Sequence, residues 1–188
     1  MKRLLALAVV LLTVSALSFG QIGLKGIGGG VGFITSSMDN GNGTSESLSG
    51  FLIAAHADLG EFTKDFSLFP DITYWSASKD PVKLSDFSIN VNAHYNIAME
   101  GMLKPYVGAG LGYNSYSTTV TIPSFNTGFG TFGGGTVTGS ASRLGINILA
   151  GVNYKLNDML TLVVEPRYVL ASDFNHFTIK AGVTYAMK

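Results

Sequence analysis

The chain has 188 residues, which suits one domain with a single core, and it has no cysteine, which excludes disulfides and thiolate metal sites. Charged residues make up only 13% of the chain, with 12 basic and 12 acidic side chains, and there are 24 glycines. This balance gives no reason to expect a nucleic-acid partner.

The first twenty residues have the features of a secretory signal peptide. Lys2 and Arg3 precede the apolar run LLALAVVLLTVSAL, and the small residues Ser18 and Gly20 stand at positions −3 and −1 of a cut before Gln21. The run is short for a membrane-spanning helix of ~20 residues. We therefore predict a signal peptide at 1–20, with a cut after Ser18 as the alternative, and a mature exported domain at 21–188.

Beyond residue 21, apolar side chains recur at every second position, which is the period of a strand with one apolar face. Eight segments show this period, and each has the ~9–11 residues that a tilted strand needs to cross a bilayer. They lie near 22–36, 50–60, 66–77, 86–97, 104–117, 143–155, 160–170 and 176–187. No segment after the signal peptide has the ~18 consecutive apolar residues of a transmembrane helix.

The connections between these segments alternate in length. The short ones lie near 61–65, 98–103 and 156–159, the long ones near 37–49 and 117–141, and those of modest length near 78–85 and 171–175. Short turns on one side and longer loops on the other are typical of an outer-membrane barrel, whose periplasmic turns are short. The pattern predicts an all-β protein, an eight-stranded antiparallel up-and-down transmembrane β-barrel with both termini in the periplasm.

A secreted lipocalin-like barrel would show the same period with its apolar face inward. Its outer face would carry many Lys, Glu and Asp residues, whereas the polar face here is mostly Gly, Asn, Ser and Thr, which suits a narrow lumen filled by side chains. Aromatic residues on the apolar face collect near the strand ends, as at the two interfaces of a bilayer. The predicted loop-side band is Phe33, Phe51, Tyr74, Phe87, Tyr113, Tyr168 and Phe177, and the turn-side band is Phe66, Tyr95, Tyr154 and Tyr185.

Two glycine-rich runs, at 24–33 and 106–113, are predicted to be strands and not nucleotide-binding loops. Position 31 is valine where a G-x-G-x-x-G motif starting at Gly26 needs glycine, and no Walker Gly-Lys-Ser/Thr ending occurs. Alternate glycines of each run fall on the polar face, namely Gly26, Gly28, Gly30 and Gly32 in the first run and Gly108, Gly110 and Gly112 in the second. A tightly curved barrel gains from glycine there, because it leaves room for larger lumen side chains opposite.

The mature chain resembles the superfamily of small eight-stranded outer-membrane barrels, the OmpX/OmpA-like barrels. The resemblance rests on KPYVGAGLGYN, GVNYKLNDMLTLVVEPRY and the last strand, HFTIKAGVTYAM. Lys180, Gly182, Tyr185 and Met187 match the spacing of the signal read by the barrel-assembly machinery, although many such proteins end on phenylalanine. The resemblance implies an outer-membrane location, with membrane lipid and the assembly machinery as partners.

Charged and polar residues of the inner face are predicted to form a structural network in the lumen. Glu165 or Arg167 is expected across from Lys180 on the neighbouring strand, which neutralises charges that would be costly alone. Asp71 and His94 point into the same lumen. The alternative is an ion-conducting or gated site. The three histidines show no paired spacing such as H-x-x-x-H, so no metal site is predicted, and we expect no cofactor.

The connection at 117–141 is the main candidate for function, because binding resides on loops held by rigid scaffolds. It is nearly uncharged and carries Phe125, Phe129 and Phe132 as candidate contacts. The alternative is a surface loop without a specific partner.

We therefore expect a non-enzymatic structural or adhesin-like surface protein that acts through the loops near 37–49 and 117–141, with an unidentified surface ligand. The second interpretation is a narrow channel for small or apolar solutes. The third is an enzyme that modifies lipid A with His176, Ser172 and Asp173 at the outer rim, although no fuller motif of such an enzyme is visible.

Overall fold

The computed structural model describes residues 22–39, 45–128, 130–172 and 174–187, so the predicted signal peptide at 1–20 lies outside the described residues. Nine β-strands form within these ranges. They are β1 Gly26–Asp39, β2 Ser45–Asp58, β3 Glu61–Thr63, β4 Phe66–Lys79, β5 Val82–Asn96, β6 Leu103–Thr127, β7 Gly130–Lys155, β8 Leu160–Ala171 and β9 His176–Ala186. Among the described residues, no helix is long and apolar enough to cross a membrane.

Eight of the nine strands close into one antiparallel barrel. Each of the strands β4 to β8 pairs with the strand that follows it in the chain. Strand β9 pairs with β1, β1 pairs with β2, and the pairing of β2 with β4 closes the ring. The three-residue β3 lies outside this ring, because it pairs only with the first residues of β4. The eight-stranded antiparallel barrel predicted from the sequence is confirmed.

The barrel has two distinct ends. The turn end holds the connections at 59–65, 97–102 and 156–159 together with Ile22 and Met187. The loop end holds the connection at 80–81 together with Asp39 at the end of β1, Gly128 after β6 and Ser172 after β8.

The prediction of long loops near 37–49 and 117–141 is wrong, because strands extend into both ranges. Strand β1 continues to Asp39 and β2 begins at Ser45, while β6 and β7 pair with each other as far as Thr127 and Gly130. In the outer parts of β6 and β7, which lack apolar alternation, residues 121–127 and 133–140 are exposed on both faces of the hairpin. Their Thr and Val residues still favour extended backbone. The loop end therefore carries strands that extend past the barrel wall and not long irregular loops.

The side chains alternate between lumen and outer surface as the period predicts. All eleven residues of the two predicted aromatic bands face outward and are between 39% and 71% exposed. Phe33 lies opposite Phe51, and Phe66 opposite Tyr95, so band members meet across neighbouring strands. The polar residues of the other face are buried. This arrangement, apolar outside and polar inside, excludes the lipocalin-like alternative.

Several inward-facing glycines lie opposite larger lumen side chains. In the strand register, Gly110 lies opposite Asn92, Gly112 opposite Asn90 and Gly151 opposite Tyr106. Gly28 likewise lies opposite His56, and Gly108 lies opposite His94. A Cβ added at Gly110 or Gly112 would overlap the amide of the opposing asparagine, and one at Gly151 would overlap the Tyr106 ring. The glycines therefore create the space in which the lumen side chains pack.

Candidate functional site

A four-residue ionic layer crosses the middle of the lumen. Arg167 on β8 donates from both terminal nitrogens to Asp71 on β4, with Nη2 2.6 Å from Oδ2 and Nη1 3.2 Å from Oδ1. The same Nη2 lies 2.8 Å from Oε1 of Glu165, and Lys180 Nζ on β9 lies 3.2 Å from that oxygen. Two carboxylates thus meet two cations, and the guanidinium fork binds Asp71 in the bidentate geometry that is strongest.

Asparagine amides complete the hydrogen bonding of this layer. Asp71 accepts from Nδ2 of Asn90 at 2.8 Å and from Nδ2 of Asn92 at 2.7 Å. Asn147 on β7 donates to the carbonyl oxygens of both asparagines, at 3.0 and 2.8 Å. The network therefore ties β4, β5, β7 and β8 together across the lumen.

His94 and Tyr106 close the turn-end side of the layer. The Tyr106 hydroxyl donates to Oε2 of Glu165 at 2.8 Å, and His94 Nε2 lies 3.9 Å from the same oxygen. The His94 ring is stacked between Phe69 and Tyr106, with ring centroids 4.3 and 4.4 Å apart. All five lumen residues singled out in the sequence, Asp71, His94, Glu165, Arg167 and Lys180, therefore lie in one connected cluster. Glu165 is directly opposite Lys180 in the register.

Four further members of the network were not singled out from the sequence. Asn90, Asn92 and Asn147 all lie on the polar, inward face of their strands, and the signal that could have marked them is the glycine that lies opposite each of them. Tyr106 faces inward, as Tyr116 does on the same strand, whereas Tyr113 faces outward. No group of three or more His, Asp or Glu side chains in the described part of the chain could hold a metal ion.

Two small cavities flank the ionic layer, one of about 10 Å³ on the side of His56 and Tyr106 and one of about 20 Å³ on the side of Trp75 and His176. Each has room for about one water molecule. Glu165, Arg167 and Lys180 line both cavities and separate them.

An aromatic cluster fills the lumen at the loop end. Trp75, Asp86 and Tyr116 stand directly opposite one another on β4, β5 and β6, and each is 1% exposed. His176 packs 5.1 Å from the Trp75 ring, and the Phe174 ring stacks 4.3 Å from that of Tyr116. Apolar side chains, including Ile34, Leu48 and Leu84, surround this cluster.

His176, the histidine of the predicted lipid A-modifying site, is buried in this loop-end cluster. His176 is 4% exposed, and its Nδ1 lies 3.0 Å from the carbonyl oxygen of Phe174. Ser172 is exposed at the rim, and Asp173 lies outside the described residues. The histidine therefore faces a packed lumen and not the surrounding lipid.

The β6–β7 hairpin extends past its neighbours at the loop end. Strand β5 pairs with β6 only as far as Val120, and β8 pairs with β7 only from Gly145. Residues 122–127 and 130–135, here called the hairpin extension, project about 20 Å beyond β5 at ~3.3 Å per residue. Of the candidate contacts, Phe125 is 61% exposed and stands opposite Phe132 in the register, while Phe129 lies outside the described residues.

The four residues of the predicted assembly signal occupy both faces of β9. Lys180 and Gly182 face the lumen, where Lys180 joins the ionic layer. Tyr185 faces outward, and Met187 follows the end of the strand with its backbone N–H bonded to the carbonyl of Lys25 at 2.6 Å. Recognition by the assembly machinery stays a prediction.

Comparison with known proteins agrees with this geometry. Residues 4–186 match the family model described as outer membrane protein beta-barrel domain. The fold is similar to that of Neisserial surface protein A, with a TM-score of 0.58 and 20% identity over 86% of this chain and 97% of that one. It is also similar to Ail, the attachment invasion locus protein of Yersinia pestis, with a TM-score of 0.52 and 12% identity over 87% and 99% of the two chains. At these identities the likeness concerns the fold alone.

Similar sequences also occur in Brucella. Uncharacterised proteins of Brucella abortus and Brucella suis are 29% identical over 109 residues, which cover 53% of this chain and 35% of each relative. The chain therefore matches only about a third of the length of these curated relatives.

Proposed function

The chain belongs to the outer membrane protein beta-barrel family, and from that premise we propose that it is a non-enzymatic surface-interaction protein. In this proposal residues 1–20 direct export, the turn end with both termini faces the periplasm, and the loop end faces outward. The observation that carries the proposal is the β6–β7 hairpin, which presents an unpaired strand edge beyond the barrel wall.

The free edge lies on β7. Residues 130–144 precede Gly145, the first residue of β7 that pairs with β8, so their outer backbone groups face no strand in the described part of the chain. Natural proteins commonly protect such an edge with Lys or Pro, yet this stretch contains no proline and only one charged residue, Arg143. An edge of this kind can accept an extended segment of another polypeptide as an added strand.

The chemistry of the hairpin favours a polypeptide partner over a polyanion. Ail of Yersinia pestis has been solved with the heparin analogue sucrose octasulfate, at a TM-score of 0.50 to this chain. Binding of a sulfated sugar draws on Lys and Arg, and residues 117–142 of this chain contain no charged residue. Exposed Ile122, Phe125 and Val137, between 45% and 61% exposed, offer apolar contacts beside the strand edge.

The second candidate function is the narrow channel. The small cavities and the ionic layer between them support a closed lumen, because two cavities of about 10 and 20 Å³ do not join into a path. The lack of a path between these two cavities favours a function at the surface of the barrel over conduction through its lumen.

The proposal is tested by shortening the hairpin. Replacing residues 121–136 by Asn-Gly joins Val120 to Val137, which lie opposite each other, through a two-residue turn. Barrels in phospholipid vesicles are offered to a panel of immobilised extracellular-matrix proteins and, in parallel, to sucrose octasulfate. We expect at least about tenfold weaker protein binding from the shortened barrel, a loss of roughly 1.4 kcal/mol or more.

The matched control keeps the strand edge and changes its side chains, with Ile122→Ser and Phe125→Ser in the full-length hairpin. If the edge itself carries binding, the control retains most of it, and a heat-modifiable gel band shows that both variants fold. Equal binding by wild-type and shortened barrels, or binding of the polyanion alone, would contradict the proposal.

A further inference from the structure

The rim of the barrel has a notch at its loop end, where the β8–β9 connection is short. Strand β8 ends at Ala171 and β9 begins at His176, whereas β7 extends outward to Gly130. Because Gly145 is the first residue of β7 that pairs with β8, residues 136–144 stand above this connection with no strand beside them in the described ranges. The space beside residues 136–144, with the β8–β9 connection as its floor, is here called the rim notch.

The floor of the rim notch is aromatic and held in place by hydrogen bonds. The Phe174 ring stacks on Tyr116 with centroids 4.3 Å apart, and Phe174 is only half-buried although it packs on the loop-end aromatic cluster. Its backbone N–H donates to the carbonyl oxygen of Ala171 at 2.9 Å, and its own carbonyl oxygen lies 3.0 Å from Nδ1 of His176. The notch therefore has a partly uncovered apolar ring at its bottom in a fixed position.

The inner face of β7 beside the rim notch is open. Ala141 lies opposite the inward-facing Tyr116, so Gly139 and Val137, at every second position, share that face. A Cβ added at Gly139 would meet no atom of the described residues within 4 Å, and Val137 is 60% exposed. The small residues at 139 and 141 therefore leave room for the side chains of a neighbouring strand next to the Tyr116 ring.

A strand added at this edge would continue the line of β8. It would run antiparallel to β7 and direct every second side chain inward, toward Val137 and Phe174, where apolar groups remove these side chains from water. Its outward side chains would lie beside Thr138 and Ser140, and hydroxyl side chains form favourable cross-strand pairs with them. Residues 136–142 carry no charge, so this edge does not select a charged partner.

We propose that the rim notch receives one extended segment of a partner polypeptide in which apolar side chains alternate with Ser or Thr. The apolar side chains pack inward on Phe174 and Tyr116. This inference rests on the proposed function, to which it adds the side-chain chemistry of the bound strand and the face that it turns inward. Backbone pairing with an edge supplies affinity for any sequence, whereas packing of alternate side chains supplies the specificity.

Two synthetic nine-residue peptides of equal composition test the side-chain preference. One alternates Thr and Leu strictly, and the other has its leucines in one block. Each fluorescently labelled peptide is titrated with barrels in phospholipid vesicles, and protein-free vesicles give the background from binding to lipid. We expect the alternating peptide to bind at least about tenfold more tightly, because only this peptide can direct all of its leucines inward.

Variants of the barrel test the floor of the notch. Phe174→Ser should weaken binding of the alternating peptide by about fivefold or more, because it removes the apolar ring on which the leucines pack. Phe125→Ser is the matched control, since Phe125 is 61% exposed and lies on the hairpin extension. A heat-modifiable gel band shows folding. Val137→Thr is a second variant, which changes the inner face of β7 without touching the loop-end aromatic cluster and should weaken binding in the same direction.

Backbone pairing is tested with two N-methylated forms of the alternating peptide, one methylated at every leucine and one at every threonine. Successive N–H groups of a strand point to opposite edges, so only one form lacks the N–H groups that pair with β7. We expect one form to bind like the parent peptide and the other to lose binding. Loss of binding in both forms, or in neither, would contradict the addition of a strand with a fixed inner face.

The remaining outcomes separate this inference from the proposed function. Equal binding of the alternating and block peptides, or equal binding by wild type and Phe174→Ser, would overturn the packing in the rim notch and leave pairing at the β7 edge intact. A barrel that binds matrix proteins and neither peptide would overturn this inference alone. A barrel that binds neither the peptides nor the matrix proteins would overturn the proposed function as well.

Discussion

Arg167 holds two carboxylates that come from different parts of the barrel. Glu165 is its neighbour on β8, and Asp71 lies on β4, which does not pair with β8. The Arg167 and Asp71 side chains are 7% and 2% exposed, so removing one partner leaves a charge in a nearly dry lumen. Breaking a buried ion pair from one side is far more damaging than losing a pair in water.

Arg167→Met is therefore expected to lower the free energy of unfolding by about 3–5 kcal/mol. Urea unfolding of barrels refolded in vesicles measures it, with fluorescence of Trp75, the single tryptophan, as the signal. Lys155→Met is the matched control, because Lys155 and Asp158 form a 2.9 Å ion pair whose side chains are 50% and 88% exposed. Equal losses in the two variants would show that Arg167 contributes no more than a surface charge.

The control pair also has a defined pH dependence. The hydrogen bond and the positive charge of Lys155 lower the pKa of Asp158 from its ordinary value. A lowered pKa in the folded state adds stability above the ordinary pKa, and that stability is lost as the pH falls through the lowered one. Since the pair is exposed, the effect is small.

At the scale of single strands, the apolar alternation was enough to predict eight strands, their order and the face that each presents. The outer parts of β6 and β7 were predicted as a loop because an exposed hairpin needs no apolar face. All four members of the ionic layer were predicted to face the lumen, but their contacts with one another were predictable only in part. Glu165 and Lys180 lie on adjacent strands, whereas the meeting of Asp71 with Arg167 depends on the stagger that closes the barrel.

Gly110 on β6 leaves the space that the Asn92 side chain on β5 occupies, so a larger residue at position 110 is expected to destabilise the barrel. Gly110→Val places a branched side chain against Asn92 and the backbone of Val91, which disturbs the amides that bind Asp71. We expect a loss of about 1–3 kcal/mol in unfolding free energy, as for other overpacked interiors. The same urea titration measures it.

The adjacent residue provides the control. Ala109 faces outward and is exposed, so Ala109→Val adds the same bulk on the lipid side. It should change stability little. If Ala109→Val destabilises the barrel as much as Gly110→Val does, β6 disfavours valine on either face. Overpacking of the lumen would then not be the cause.

At the scale of the whole molecule, the filled lumen predicts a barrel that does not conduct. Planar bilayers with the refolded mature chain should show no discrete current steps, and the double variant Glu165→Gln, Lys180→Met should be as silent as wild type. A heat-modifiable gel band confirms folding in each case. Steps in the wild-type trace whose size changes in the double variant would establish the channel interpretation instead.

An ionic layer whose two carboxylates and two cations fill the lumen has a consequence for the cell envelope. Each open pore added to an outer membrane admits small toxic compounds together with nutrients, so the number of pores is limited by the permeability that a cell tolerates. A barrel closed by its own side chains is free of this limit. Such a protein can be present at high density on the cell surface while the barrier function of the envelope stays intact.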